Sequence, residues 1–564
     1  MHSLATAAYQ TGAKLALRRA TVLRPCARPV YLTVRLASTS PHIQTAGSKI
    51  DPAKPGDQER VVILGSGWGG YTLSRALSRS KFSTTVISPR SYFVFTPLLT
   101  DSAVGTLNFS EIVEPVRDRK SQVHFIQAAA RAVDFKRKVV TCEASVIRSG
   151  VTESARVEQN EREFDEGPEV GPLRGKEDLR KWEAGQIFEV PYDKLVIAVG
   201  CVSRTFNTPG VRQNAMFFKD IGDARRVKRR IRECFELAVM PATSPEMRRH
   251  LLHMAIVGGG PTGTELAAAI CDFIHEDIVK VYPKIREEIR VTLYDVAPRV
   301  LSMFDASLSK YAMEIMSREG VEVKTNHHIT GLRWGEPNKE APCEMDPKAC
   351  LTLTTKEQGD VGVGVCIWTT GNEMNKFINK SLGDVEFPSS SAVIRGSTGE
   401  PAPAERESKW TVSKAPKTGA VLVDDHLRVL LKSEDDKVAV MQDVFALGDN
   451  CSIETGTPPA TAQATNQEAR WLAARLNKGD IGTAPGFSFR NLGMIAYLGE
   501  SKALMQLPHE EGKKEFLPSA ITGRYAWLIW KGAYLSMSIS WRNRLRILIS
   551  WFSAWAFGRD ISRY

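Results

Sequence analysis

The sequence predicts an α/β fold with two parallel-sheet domains, because a strand, a glycine-rich turn and a helix follow one another twice. The first unit is the apolar run 61–64 followed by Gly65-x-Gly67-x-x-Gly70. The second is the run 254–257 followed by residues 258–263, Gly-Gly-Gly-Pro-Thr-Gly. A third apolar strand, 443–447, ends in Gly-Asp at the kind of strand end where ligands lie in open α/β sheets.

The spacing of the glycines indicates dinucleotide binding. The first glycine permits the bend, the second lets the backbone approach a pyrophosphate, and the third lets the helix pack on the strand. We therefore expect two Rossmann-like domains whose turn residues contact dinucleotides. These residues are Gly65, Ser66, Gly67, Trp68, Gly69 and Gly70 in the first turn, and Gly258, Gly259, Gly260, Pro261, Thr262 and Gly263 in the second, with Gly448 and Asp449 added to the first site by the third strand.

The 564 residues carry a net charge of +11, and the basic excess lies at the two ends of the chain. This distribution favours a targeting signal and a membrane surface as partner, and it argues against nucleic acid. Nine cysteines are scattered without metal-ligand spacing. We expect neither a disulfide framework nor a metal site.

The first 50 residues contain seven lysines and arginines and no acidic residue. This composition is typical of a mitochondrial transit peptide, and the alternative is a basic tail without a function. No later run approaches the roughly 17–20 apolar residues that a membrane-spanning helix needs.

The second strand of the first domain, 84–87, ends in Ser88-Pro89-Arg90, where an ordinary NAD site has an acidic residue for the ribose. We expect Ser88 and Arg90 to lie at a different dinucleotide, with Arg90 at its adenine. The aromatic stretch 91–99 contains Thr96-Pro97 and can line an isoalloxazine ring; the alternative is an ordinary core strand.

In the second domain the equivalent strand, 290–294, is followed by Asp295. A carboxylate there accepts hydrogen bonds from both ribose hydroxyls and repels a 2′-phosphate, so this site should prefer NADH over NADPH. The alternative is a turn residue at a strand end. The apolar strand 365–368 would close the domain, with Thr370 and Gly371 at the nucleotide.

These features divide the chain into five parts. We expect a transit peptide at 1–50, a first domain in two pieces at 59–205 and 381–488, the second domain at 206–380 between them, and a carboxyl-terminal domain at 489–564. Two charged segments, 146–189 and 389–417, read as insertions at the surface.

Together these motifs, with Phe95-Thr96-Pro97-Leu98-Leu99 and Trp368-Thr369-Thr370-Gly371-Asn372, resemble those of the type II NADH:quinone oxidoreductases, the alternative, rotenone-insensitive NADH dehydrogenases. The resemblance implies a glutathione-reductase-like flavoprotein fold with FAD in the first site, NADH in the second and ubiquinone as acceptor. It also implies a homodimer on the mitochondrial inner membrane. Disulfide reductases of similar architecture need a Cys-x4-Cys pair, which does not follow the first fingerprint here.

The segment 458–468 is similar to the quinone-site signature of that family. Gln463 and Gln467 lie four residues apart, so both amides share one helical face and could bracket a quinone carbonyl; the alternative is a polar helix surface. The sequence departs from the family at Thr465, usually alanine, and at Asn466, often histidine in mitochondrial relatives. By resemblance, Glu265, Gln463 and Gln467 are catalytic, and Ala462, Gln463, Asn466 and Gln467 hold the quinone.

The carboxyl-terminal stretch 524–564 interleaves five tryptophans with basic residues. This pattern is typical of amphipathic helices that lie in a membrane interface, and the alternative is a helical hairpin packed on the core or on a second subunit. External fungal relatives often carry a hydrophobic segment after the presequence, and its absence predicts a matrix-facing enzyme.

The resulting prediction is a flavoenzyme that passes electrons from NADH to ubiquinone without pumping protons. One alternative is a sulfide:quinone oxidoreductase, for which Cys201, Cys366 and Cys451 are the available redox cysteines. Another is a flavoprotein of the apoptosis-inducing type, in which NADH reports redox state.

Overall fold

The computed structural model describes residues 58–118, 123–146, 186–337, 339, 349–382, 384–385, 391–395, 410–508, 520–538 and 540–561. The predicted transit peptide lies outside these residues. So do most of the two predicted insertions, 146–189 and 389–417.

A sheet of thirteen described strands forms around the first fingerprint. Its strand Glu59–Leu64 lies in a parallel centre, and Val61, Val62, Ile63 and Leu64 have no exposed surface because helices and loops cover both faces. The parallel strands lie in the order Val438–Ala446, Lys194–Ile197, Glu59–Leu64, Phe82–Ser88 and His124–Asp134. The remaining strands are Val139–Ala144, Ile187–Pro191, Asp384–Val385, Val393–Ile394, Trp410–Val412, Val421–Val423, Arg428–Ser433 and Cys451–Ile453.

A second sheet of five parallel strands carries the second fingerprint. Its order is Met216–Phe217, Val365–Trp368, His253–Val257, Arg290–Tyr294 and Val321–Lys324. An antiparallel sheet beside it consists of Ile329–Trp334, Leu351–Thr355 and Gly359–Val363. Along the sequence, both lie between two strands of the first sheet that pair directly, Lys194–Ile197 and Val438–Ala446.

Two helices follow the fingerprints directly: Trp68–Ala76 and Pro261–Phe273, here called the first and second fingerprint helices. The first begins at Trp68, inside the fingerprint, because its initial turn is built from the fingerprint itself. A third helix, Ala462–Lys478, is called the glutamine helix. The other helices are Leu99–Val104, Val211–Asn214, Ile221–Ala238, Pro245–Leu251, Val279–Val281 and Ala306–Arg318, with short helical turns at Thr96–Leu98, Phe109–Glu111, Ile274–Ile278, Pro283–Glu288 and Phe377–Ser381. Two strand pairs, Tyr92–Val94 with Val113–Pro115 and Cys201–Ser203 with Asn372–Met374, complete this part of the fold.

The carboxyl-terminal region begins with an antiparallel sheet of Met494–Gly499, Lys502–Gln506 and Ala520–Gly523. The first terminal helix, Arg524–Met537, and the second terminal helix, Trp541–Phe557, follow. Asn543, Ile547 and Trp551 form the buried face of the second helix, spaced four residues apart. The rest of that helix exposes large apolar side chains, including Trp541, Leu545, Phe552 and Trp555. Among the described residues, no helix combines the length and apolarity needed to cross a bilayer.

Candidate functional site

The first fingerprint forms a cradle whose glycines have separate roles. Gly65 has a φ of +106°, and a Cβ there would lie 2.2 Å from the carbonyl oxygen of Ala198. A Cβ at Gly70 would lie 2.0 Å from Gly65 O, so the helix packs directly on the turn. At Gly67, by contrast, a Cβ would meet no atom within 4 Å, and no side chain caps the helix that begins there. The open space and the helix N–H groups suit a phosphate.

The second fingerprint repeats this geometry. Gly258 has a φ of +114°, and a Cβ at Gly263 would lie 1.9 Å from Gly258 O. Gly260 faces open space and begins a helix that lacks a side-chain cap. The chain therefore contains two cradles of the same construction, one at the end of each parallel sheet.

The residues after the second strand of each domain lie beside these cradles. Ser88 Oγ is 3.0 Å from Ser66 Oγ in the first turn. Asp295 accepts a hydrogen bond from Gly259 N and another from Ala297 N at 2.6 Å, so its carboxylate lies against the second turn. Arg90 forms an ion pair with Asp220 at 2.5 Å, which fixes its guanidinium at the cavity wall. The contact between Arg90 and an adenine stays a prediction.

A cavity of about 780 Å³ lies between the two domains' strand ends. This volume is within the usual range for bound cofactors and small ligands. Its lining includes most of the predicted FAD residues, namely Gly65, Ser66, Gly67, Trp68, Gly69, Ser88, Arg90, Thr96, Pro97, Gly448 and Asp449. From the second domain it includes Pro261, Thr262, Glu265, Thr370 and Gly371. Gly70, Gly258, Gly259, Gly260, Gly263 and Asp295 lie outside this lining.

Glu265 is a buried acid in the wall of this cavity. Its Oε1 accepts a hydrogen bond from Tyr497 N at 3.2 Å. Burial raises the pKa of Glu265 to about 8, and the nearby Asp101 carboxyl acts in the same direction. The side chain is therefore protonated near neutral pH and holds a proton at the cavity.

The glutamine helix contributes Ala462 and Thr465 to the lining, whereas Gln463, Asn466 and Gln467 are not part of it. Gln467 donates to Arg490 O at 2.9 Å and accepts from Arg490 N at 3.1 Å. Gln463 donates to Gly493 O at 3.3 Å and accepts from Leu492 N at 3.2 Å.

The backbone of residues 490–493 therefore engages the donor and acceptor atoms of both glutamine amides. Asn466 donates from Nδ2 to Thr72 Oγ1 at 3.2 Å. The quinone contacts of Gln463, Asn466 and Gln467 stay predictions.

The cysteines of the described residues are all free. Cys201 lines the cavity and donates to Asp449 Oδ2 at 3.2 Å, and burial raises the pKa of its thiol to about 11. Cys366 and Cys451 are buried outside the lining. Of the three candidate redox cysteines, only Cys201 is among the described residues that line the cavity.

Several residues of the cavity and its support were not anticipated from the sequence. Tyr534 of the first terminal helix and Ile495 of the preceding sheet line the cavity. Glu468 on the glutamine helix accepts from Gly448 N at 2.7 Å and so holds the Gly448–Asp449 turn. The only signal in the sequence for Glu468 was its place in the quinone-site motif. Nothing in the sequence indicated that Tyr534 or Ile495 would line the cavity.

The end of the chain is bound to both domains by polar contacts. Arg559 donates to Thr106 Oγ1 at 2.8 Å in the first domain and to both Glu276 and Asp277 in the second, at 2.6 and 2.7 Å. In the first terminal helix, the ammonium of Lys531 lies 4.4 Å from the ring centroid of Trp527 and 4.6 Å from that of Trp551. These contacts attach the segment after the second terminal helix to both domains and join the two terminal helices to each other.

Two family models match separate parts of the chain. The pyridine nucleotide-disulphide oxidoreductase model matches residues 59–390, and the NDH2 carboxyl-terminal domain model matches 491–560. The internal alternative NAD(P)H-ubiquinone oxidoreductase A1 of Arabidopsis thaliana is 30% identical over 91% of this chain and 87% of its own length. The external NADH-ubiquinone oxidoreductase 2 of Saccharomyces cerevisiae is 30% identical over 90% and 82%.

Solved structures show the same fold. The structure of NDH2 from Plasmodium falciparum has a TM-score of 0.67 and 22% identity, covering 90% of this chain and all of that one. The sulfide:quinone oxidoreductase of Aquifex aeolicus has a TM-score of 0.53 and 15% identity, covering 89% and 96%. The sequence relatives and the two family models agree on one assignment. The chain belongs to the type II NADH:quinone oxidoreductases, within the pyridine nucleotide-disulphide oxidoreductase family.

Proposed function

We propose that this chain is a FAD-dependent NADH:ubiquinone oxidoreductase, which takes a hydride from NADH and passes two electrons to ubiquinone without pumping protons. One observation carries the proposal: the starts of both fingerprint helices line the same cavity, and Tyr534 of the first terminal helix lines it as well. Two nucleotide cradles and the carboxyl-terminal domain therefore meet at one place. Relatives named NAD(P)H-ubiquinone oxidoreductases support the choice of substrates.

The first cradle suits FAD, because the space at Gly67 accepts a pyrophosphate and the lining continues from Ser88 and Arg90 to Thr96 and Pro97. The bound flavin would supply the redox chemistry, and the protein would supply orientation and electrostatics. Gly448 and Asp449, held by Glu468, would fix its position. Extraction of the cofactor from purified protein and mass spectrometry should give FAD; FMN would contradict this assignment.

The second cradle suits NADH. Gly260 leaves space for its pyrophosphate, and Asp295, whose carboxylate lies against the same turn, would accept hydrogen bonds from the ribose. Glu265 lies one helical turn beyond the cradle and holds a proton at the cavity wall near neutral pH. We propose that the protonated Glu265 side chain forms the wall of the site beside the nicotinamide.

The enzyme would work at the mitochondrial inner membrane, on its matrix side, with the terminal helices on the lipid surface and as a homodimer. The exposed apolar residues of the second terminal helix support the lipid contact. Relatives of both internal and external type match the chain, so the side needs its own experiment. Protease should spare the enzyme in mitochondria whose outer membrane has been opened and digest it once the inner membrane is also disrupted. Sedimentation in detergent should give the mass of two chains.

A turnover assay tests the activity. Purified holoenzyme should oxidise NADH with a soluble ubiquinone and should not reduce that quinone with sulfide. Sulfide-driven turnover would favour the sulfide:quinone alternative, and reduction of the flavin by NADH without any quinone turnover would favour a redox-sensing flavoprotein.

A further inference from the structure

Three consecutive residues at the start of the second domain, Phe218, Lys219 and Asp220, line the cavity and are here called the entry segment. Asp220 caps the helix Ile221–Ala238, because its Oδ1 accepts a hydrogen bond from Asp223 N at 2.9 Å. The Asp223 carboxyl in turn accepts from Lys219 N at 2.7 Å and from Asp220 N at 3.0 Å. This reciprocal cap fixes the backbone of the entry segment and the carboxylate of Asp220.

The side chain of Lys219 attaches the entry segment to the cavity wall. Its Nζ donates to Asn372 Oδ1 at 2.8 Å and to Cys201 Sγ at 3.1 Å. Both partners line the cavity and lie on two strands that pair with each other. Asp220 is therefore held in the wall by contacts that do not involve the first domain.

Arg90 reaches Asp220 from the first domain. Its backbone lies against the first fingerprint, because Arg90 N donates to Ser88 Oγ at 3.2 Å and Arg90 O lies 3.1 Å from Ser66 Oγ. Its Nη2 lies 2.5 Å from Asp220 Oδ2. The Asp220 side chain is only 6% exposed, whereas that of Arg90 is 37% exposed. The carboxylate thus uses one oxygen for the helix cap and the other for the guanidinium.

The orientation of the guanidinium depends on this ion pair. A guanidinium is planar and can stack on an aromatic ring system such as an adenine, provided that its plane is fixed. The backbone contacts of Arg90 do not fix it, because several rotatable bonds separate the backbone from the guanidinium. Asp220 does, since arginine–carboxylate pairs are directional and the carboxylate is itself held in place.

We propose that Asp220 is a positioning residue for FAD, which holds the Arg90 guanidinium in the orientation that packs on the adenine of the cofactor. Asp220 belongs to the second domain, so both domains contribute to holding this end of FAD. The inference rests on the proposed FAD-dependent function and adds to it a residue outside both glycine fingerprints.

The variant Asp220→Asn separates the two roles of the carboxylate. Asparagine caps helices about as well as aspartate, but its single oxygen cannot serve both the cap and Arg90, and it has no charge. The holoenzyme variant should release FAD about five- to tenfold faster than the unaltered enzyme, since a charged hydrogen bond is lost that solvent already screens in part. Release is measured as the rise in flavin fluorescence after dilution into buffer without FAD. High salt should narrow the difference between the two proteins.

Two further variants separate this effect from a loss of helix structure. Asp220→Ala removes the cap as well, so it should release FAD about as fast as Asp220→Asn, while amide exchange in a peptide covering 219–226 should become faster in the alanine variant alone. Arg226→Gln is the matched control, because it breaks an ion pair with Asp223 on the same helix and outside the cavity lining. It should leave FAD release unchanged. Faster release in the alanine variant but not in Asp220→Asn would assign the effect to the helix cap and would overturn the proposal.

A double variant tests whether Asp220 acts through Arg90. Arg90→Gln should release FAD at least as fast as Asp220→Asn, and the double variant should be no faster than Arg90→Gln alone. Effects that multiply in the double variant would show that Asp220 acts without Arg90, which would also overturn the proposal. Protein purified without FAD would contradict the proposed function and this inference with it. A holoenzyme that binds FAD but reduces no quinone would contradict the proposed acceptor only, and the release rates would still decide the role of Asp220.

Discussion

Trp551 donates its indole N–H to the carboxylate of Asp101 at 3.1 Å, although 450 residues separate them in the sequence. Both side chains are buried. Asn543 and Ser550 of the same helix reach Glu114 and Glu111 at 3.0 and 2.8 Å. The second terminal helix is therefore joined to the first domain by a row of side-chain hydrogen bonds along one face, and its opposite face remains free for an apolar surface.

Trp551→Phe should loosen this helix. The change keeps an aromatic ring but removes the donor to Asp101, and a buried polar group without its partner costs about 1–3 kcal/mol. The fraction of molecules in which this helix is detached should then rise about five- to hundredfold. Trypsin should cleave at Arg542, Arg544 or Arg546 correspondingly faster. The matched control is Trp555→Phe, because Trp555 is 81% exposed. Equal cleavage rates for the two variants would contradict the prediction.

Glu265→Gln should change the pH dependence of stability. A carboxyl whose pKa rises from 4.5 to about 8 on folding makes the free energy of unfolding decrease as the pH rises between these values, by up to about 1.4 kcal/mol per pH unit. The protonated Glu265 carboxyl makes its full contribution to the free energy of unfolding below pH 4.5, and this contribution is lost above about pH 8. Thermal unfolding of the glutamine variant should vary less with pH over this window than that of the unaltered enzyme. Parallel curves for both proteins would show that Glu265 titrates normally.

Asp295→Gln should relax the preference for NADH. The change removes a negative charge that would repel a 2′-phosphate, and it leaves a neutral amide beside Gly259 N. The ratio of kcat/KM for NADH to that for NADPH should fall by about tenfold or more, measured with the same quinone. An unaltered enzyme that uses both nucleotides equally well would remove the basis of this prediction.

The exposed face of the second terminal helix should bind lipid. Trp541 and Phe552 are 81% and 62% exposed, and the region 524–557 contains five basic residues and no acidic one. Replacing both by serine removes about 3 kcal/mol or more of apolar burial, so partition onto vesicles with anionic phospholipid should fall by at least about a hundredfold. Met240→Ser, which alters an exposed apolar residue on another surface, is the control. Equal binding of both variants would place the lipid contact elsewhere.

The glycine cradles could be predicted from the sequence because their geometry is local. A turn, a helix start and a close helix–strand contact lie within six residues, and both copies have the predicted form. Gln463 and Gln467 were correctly expected to share one helical face, since helical spacing is also local. What covers that face could not be predicted, because it is a loop 23 to 30 residues further along. The same holds for Glu265: burial raises its pKa, and its carboxyl accepts a hydrogen bond from Tyr497 N, 232 residues away.

Two neighbouring strands of the first sheet are made at different times during synthesis of the chain, because the second domain lies between them in the sequence. The strand Lys194–Ile197 lacks its parallel neighbour Val438–Ala446 until more than 240 residues have been added, whereas the second sheet uses strands that lie between residues 216 and 368. A chain emerging from the ribosome, or threading through a translocase, can therefore complete the second sheet while the first still has an open edge. Unpaired parallel edges attract other chains. While the residues between 197 and 438 are being added, a nascent copy therefore has an unpaired strand edge, and this is when it most needs a chaperone.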